Sequence, residues 1–130
     1  MVYVSITSID ELKDIQTSMD RNAQHILLIK FSATWCKPCQ SIQHVCKEWF
    51  DKLPEHVIVV EIDIDACLDL YMFMKRHRII KGVPAIVAWY PNESREANIW
   101  YIPEDSVSGS SIHDINHFFE RCSQKAKSLC

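Results

Sequence analysis

A chain of 130 residues, 48% apolar and 24% charged, has the composition of one ordinary globular domain covering residues 1–130. That balance excludes a disordered chain and a coiled coil, and a formal charge of -3 offers no footprint for nucleic acid or an anionic membrane. No apolar run approaches the roughly 18 residues that span a bilayer.

Taken in chain order, Val2 to Ile6 reads as a short strand, and Ser8 or Asp10 caps a helix with Ile9, Leu12, Ile15 and Met19 on one stripe. His25 to Phe31 is a nearly continuous apolar run of strand length, as suits a parallel strand buried on both faces. After Cys36, Ile42, Val45, Cys46, Trp49, Phe50 and Leu53 recur at helical spacing, and Pro54 ends the helix. Val57 to Ile62 is a second central strand, and a short helix runs from about Cys67 to Lys75. The basic run Lys75, Arg76, His77, Arg78 reads as its solvated end. Ala85 to Tyr90 and Ile99 to Ile102 form a strand pair across the polar stretch 91–98. The patch 106–111 reads as a linker into a last helix carrying Ile112, Ile115, Phe118, Phe119 and Cys122. The order βαβαβαββα calls for an α/β fold with right-handed parallel crossovers and a final antiparallel pair.

The amino terminus has no basic segment followed by an apolar stretch and a small-residue cleavage site. A soluble, cytoplasmic protein is therefore expected, in a compartment that keeps thiols reduced. Six cysteines then point to redox or metal chemistry rather than to a disulfide framework. Cys36 and Cys39 are the one tight pair. They follow a buried strand and open a helix, where unpaired N–H groups and the helix dipole favour a thiolate at Cys36. The thiolate is the nucleophile of disulfide exchange. Cys39, one helical turn on, is placed to resolve a mixed disulfide by attacking Cys36. Pro38 suits the first turn, where its missing N–H leaves no bond unmade.

Lys30-Phe-Ser-Ala-Thr-Trp-Cys-Lys-Pro-Cys39 resembles the active-site segment of the thioredoxin family, usually Trp-Cys-Gly-Pro-Cys. Glu61-Ile-Asp-Ile-Asp65 resembles that family's second central strand, and Lys81-Gly-Val-Pro-Ala85 its cis-proline loop. The likeness is close over about residues 5–90 and weaker beyond. It implies a thioredoxin fold, a mixed central sheet of about five strands flanked by four helices. It also implies a redox-active disulfide between Cys36 and Cys39, and a cis Pro84. The Val83 backbone, Pro84, Trp35, Lys37 and Pro38 would then contact substrate. Gly82 is read as helping this turn.

The chain also departs from the family pattern. Lys37 replaces the usual glycine, either stabilising the Cys36 thiolate and making the couple more oxidising, or simply contacting substrate. Lys30 stands where the family buries an aspartate, and Glu61 where it carries a lysine, so the charges are exchanged. Glu61 then serves as the carboxylate for Cys39 with Lys30 as counter-ion, or both side chains snorkel to water and do not participate. The helix after Cys39 lacks the family's proline, with His44 near that place, so a straighter helix is expected.

Cys46 and Cys122 sit on apolar stripes and read as buried hydrophobes. Cys67 is an accessory thiol open to oxidation, and Cys130 an exposed terminal one. Cys36, Cys39, His44 and Cys46 do not make the two separated pairs of structural zinc, and the six histidines are read as showing no HxxxH or similar pairing, so no metal is expected. The reading is a disulfide reductase acting on disulfide-containing proteins. It needs no cofactor, works as a monomer, and is recharged by thioredoxin reductase or glutathione. The alternatives are an oxidase or isomerase, and a redox-switched interaction module.

Overall fold

The computed structural model describes residues 1–22 and 24–129. The elements are β1 (Val2–Tyr3), α1 (Ile9–Asn22), β2 (Ile26–Ser32), α2 (Lys37–Ser41), α3 (Gln43–Lys52), β3 (Val57–Asp63), α4 (Leu68–Arg76), β4 (Ala85–Trp89), β5 (Asp105–Ser108) and α5 (Ile112–Ser128). They build a five-stranded sheet in the order β1-β3-β2-β4-β5. β2 pairs parallel with β3 and antiparallel with β4, so the most apolar strand is hydrogen-bonded on both edges.

Alternate residues of β2 feed two cores, one on each face of the sheet. Leu27, Ile29 and Phe31 pack with Leu12, Met19, Leu70 and Met74 of α1 and α4. Ile26 and Leu28 face Cys46 and Phe50 of α3 and Phe118, Phe119 and Cys122 of α5. Trp49 stacks on Phe119 at 5.6 Å between ring centres and donates its indole N–H to Asn116 Oδ1 at 2.9 Å. These contacts fix how α3 and α5 face each other.

Local chemistry sets the helix ends. Ser8 caps α1 by accepting from the Glu11 N–H at 3.1 Å, and Ser111 caps α5 by accepting from the Asp114 N–H. α4 closes with Arg78 at a φ of 60°, while the Ile79 N–H returns to the Met74 carbonyl. The basic run does mark the end of α4, with Lys75, Arg76 and Arg78 exposed and His77 half-buried against Phe73 and Tyr101.

Two expectations need correction. Ile99 to Ile102 is not a strand. A 3-10 turn at Ala97–Ile99 leads into a bend, and the last strand is β5, inside the stretch read as a linker. β5 is an edge strand whose only apolar residue is Val107, so a single inward side chain carried the signal. Trp100 consequently lies off the sheet, stacked on Phe73 of α4 at 5.7 Å. Secondly, the helix after Cys36 is not straighter. It breaks at Ile42, with φ -103° and ψ -2°. The Ser41 hydroxyl donates to the Pro38 carbonyl at 2.7 Å and takes the acceptor that the Ile42 N–H would use in a continuous helix.

The stretch between β4 and β5 is held by one arginine. The Arg95 side chain, 4% exposed, donates Nε–H to Asp20 Oδ2 at 2.9 Å and Nη2–H to Glu104 Oε1 at 2.6 Å. It also donates to the carbonyls of Tyr90 and Ile102, and Asp20 Oδ1 accepts from the Asn92 N–H. Arg95→Met leaves Asp20 and Glu104 facing a low-dielectric gap without their cation. Loss of one member of a buried pair costs ~3–5 kcal/mol, and the lower end applies because both carboxylates keep some water. Urea unfolding should show that loss, with Arg95→Lys between the two because it keeps the charge and lacks the fork.

Candidate active site

The carboxyl ends of β2 and β3 converge where the helices begin. β2 stops at Ser32, the Cys36 N–H bonds back to the Ala33 carbonyl, and α2 starts at Lys37. Cys36 is the N-cap residue, and its Sγ accepts from the Cys39 N–H at 3.2 Å. Sulfur thus occupies the position a capping oxygen normally takes. Cys36 and Cys39 are joined as a disulfide with their Cα atoms 5.2 Å apart, and both are buried. The Gln40 side-chain amide bonds the Thr34 carbonyl at 2.6 Å and steadies the turn that carries the pair.

The expected contact residues surround this turn. Trp35 is 64% exposed, yet its indole N–H is held by Asp65 Oδ2 at 2.9 Å. Asp65 is in turn fixed by its own N–H on Asp63 Oδ1. Lys37 is exposed beside the pair, and Pro38 lies in the first turn of α2. The Val83–Pro84 bond is cis, Val83 is half-buried, and Pro84 is buried in the core. Gly82 has no left-handed backbone, so the turn does not require a glycine there. The glycine that matters is Gly109, at a φ of 89°, whose N–H donates to the Pro84 carbonyl at 2.9 Å. Sequence reasoning misses it because 106–111 reads as a linker, although a glycine directly after an alternating run is a usable signal.

Lys30 and Glu61 are direct partners across the β2–β3 ladder. Lys30 is buried, Glu61 is exposed, and among the described residues no ion pair joins them. Both line an open cleft of about 580 Å³ that also reaches Ser32, Cys39, Gln43 and Asp63. Cys39 therefore borders a space shared with one cation and two carboxylates. Asp63 was not singled out from sequence. Its place two residues beyond Glu61 on a strand puts it on the same face, which period-two counting shows.

The remaining thiols differ in environment. Cys46 is fully buried between Lys30 and the α3–α5 core, and burial raises its pKa. Burial pushes Cys122 up to about 12, although the Tyr90 hydroxyl donating to its sulfur at 3.6 Å works the other way. Cys67 is half-buried at the N-cap of α4, with its sulfur 3.8 Å from the Ile6 carbonyl. Cys130 lies outside the described residues. No helix of the described chain is long and apolar enough to cross a membrane.

Comparison with known proteins places this geometry. The thioredoxin family model matches residues 11–103. A thioredoxin 3 of Plasmodium falciparum is 29% identical over 127 residues, 97% of this chain and 63% of that protein. Human thioredoxin is 34% identical over 68 residues, 50% of this chain and 61% of that protein. The chain thus matches a little over six tenths of the length of these curated relatives. Among solved structures, a Plasmodium falciparum thioredoxin superposes with a TM-score of 0.64 at 24% identity, covering 92% of this chain and 85% of that one. A Malassezia sympodialis thioredoxin gives 0.65 at 20% identity, covering 95% of each.

The thiol environments make a direct prediction. At pH 8 the buried thiols of Cys46 and Cys122 stay protonated, because burial raises both pKa values and the thiolate is the reactive form. Iodoacetamide on the native disulfide form of a Cys130→Ser variant should therefore add one carbamidomethyl group, at Cys67. Peptide mass mapping that finds Cys46 or Cys122 labelled at a comparable rate contradicts this assignment.

Proposed function

The chain belongs to the thioredoxin family, and from that premise we propose that it is a protein disulfide reductase working by thiol–disulfide exchange through Cys36 and Cys39. The observation that carries this reading is the Cys36–Cys39 disulfide at the N-terminus of α2, within the segment that the family model matches. In the reduced protein the Cys36 thiolate attacks one sulfur of a substrate disulfide. A mixed disulfide forms, and the other substrate sulfur leaves as a thiolate that takes a proton from water. The Cys39 thiolate then attacks Cys36 Sγ, which restores the Cys36–Cys39 disulfide and releases the second substrate thiol. Two electrons pass to the substrate, and no bound cofactor is needed. Thioredoxin reductase or glutathione resupplies them, in a reducing compartment such as the cytoplasm, to a chain acting as a monomer.

Each site residue has a proposed role. The α2 N-terminus stabilises the Cys36 thiolate. Lys37 adds a cation beside it, and Pro38 starts the helix. Trp35, Val83 and Pro84 form the surface against which an extended substrate lies. Glu61 takes the Cys39 proton through water in the shared cleft, with Lys30 as the neighbouring counter-ion. The cleft favours this over a bystander role because it brings Lys30, Glu61 and Cys39 to one water-accessible space. Asp63 borders the same space and is the control for that assignment.

Insulin reduction tests the activity. Cys36→Ser should abolish turnover, and Cys39→Ser should trap a mixed disulfide visible by non-reducing electrophoresis. Tight binding of substrate without turnover by the native chain would support an interaction module instead. A glutathione titration sets the direction of flux. A midpoint near about -270 mV fits a reductase, whereas one near about -180 mV or above fits an oxidant or isomerase. Glu61→Gln should slow turnover by roughly a hundredfold or more across pH 6 to 9, the range for loss of a general base. Equal loss with Asp63→Asn moves the role to the pair of carboxylates, and an unchanged profile in Glu61→Gln removes Glu61 from the mechanism.

A further inference from the structure

The first two turns of α5 carry a feature that thiol chemistry does not use. Ile115, Phe118, Phe119 and Cys122 turn inward and fill the core beneath α3. His113 and His117 lie on the opposite, exposed side. They are four residues apart, so a helix places them one above the other. Their rings meet at 4.1 Å between centroids, tilted by 47°. His113-Asp-Ile-Asn-His117 is an HxxxH spacing, so the expectation that the histidines form no such pair is corrected here.

We propose that His113 and His117 bind an exchangeable divalent transition-metal ion, with Cu(II) and Ni(II) preferred. Imidazole nitrogen suits Cu, Ni and Zn, and affinity for a given nitrogen site rises towards Cu(II). Two metal–nitrogen bonds of about 2.0–2.1 Å require imidazoles that already approach one another, as these do. The helix holds both Cβ atoms before any ion arrives, so chelation orders only four side-chain torsions. The scaffold is rigid as well. Ser111 caps α5, and the Trp49 indole holds Asn116, which lies between the two histidines in sequence. Asp114 adds a carboxylate to the first turn, which offsets the positive end of the helix dipole. Among the described residues no group of three or more His, Cys, Asp or Glu side chains is placed to hold one ion. The protein therefore supplies two ligands and water the rest, which makes the ion exchangeable rather than structural.

The test is calorimetric titration of NiCl2, then CuCl2, into the disulfide form carrying Cys67→Ser and Cys130→Ser, so that these two thiols do not compete. One ion should bind per chain, Cu(II) more tightly than Ni(II). His113→Asn and His117→Asn should each weaken Ni(II) binding at least tenfold, while His44→Asn leaves it unchanged. Both histidines are exposed, so far-UV circular dichroism and metal-free melting should match wild type. In wild type, substoichiometric Cu(II) should broaden the imidazole NMR signals of His113 and His117 first. Binding by wild type no tighter than by the double variant, or weakened only by His44→Asn, overturns the proposal.

Discussion

The constraint on which the site depends is the position of β2 between two partners. Ladders to β3 on one side and β4 on the other leave this strand no freedom of register. A slip of one residue would send Leu27, Ile29 and Phe31 into the opposite core and turn Lys30 into the core they left. The point where β2 ends is thereby fixed, and with it the start of α2. Cys36 sits at the helix terminus because the strand before it cannot move. The same ladders bring the start of β4, and so the Val83–Pro84 bond, beside the end of β2, where Phe31 pairs with Ala85. The cysteine pair and the cis Val83–Pro84 bond are thus located by one strand.

The break at Ile42 follows from the same region. The Ser41 hydroxyl takes the Pro38 carbonyl, so α2 is a short separate turn and α3 departs from its end. α2 therefore answers to the strand junction that precedes it, while α3 answers to the packing of Cys46, Phe50 and Phe119. A proline within the helix is one way to divide such segments, and a hydroxyl that competes for a backbone carbonyl is another.

Most of the central fold and the cysteine pair were legible in the sequence, because buried strands and amphipathic helices leave a periodic record. β2, β3 and β4 fall within a residue or two of their expected ends, and α5 starts directly after Ser111 as expected. The misses have a common cause. β5 is an edge strand with one inward residue, so pairing with β4 defines it more than its own composition does. The Arg95 clamp joins residues distant in sequence, and nothing at Arg95, Asp20 or Glu104 taken singly announces it. Gly109 and Gly82 look alike as letters, and only the backbone shows which one needs a left-handed φ. The exchange of charge at Lys30 and Glu61 was legible, whereas the distance between their charged ends was not.

That last point bears on how the site tolerates an exchanged pair. A lysine in the interior of a sheet needs a nearby counter-charge or a route to water. Lys30 lies late in β2, where the sheet opens into the cleft beneath the cysteine turn. Earlier on the same face, Ile26 and Leu28 are sealed by α3 and α5. A charge at either of those positions would have no solvent within reach. The opening at the end of β2 therefore lets a cation stand one strand away from Glu61 without contact, and it leaves Cys39 bordering water. A buried aspartate would act on the resolving sulfur through a closed interior. Here Cys39 and the carboxylates of Glu61 and Asp63 line one solvent-filled cleft, where any coupling between them is weaker and more easily screened.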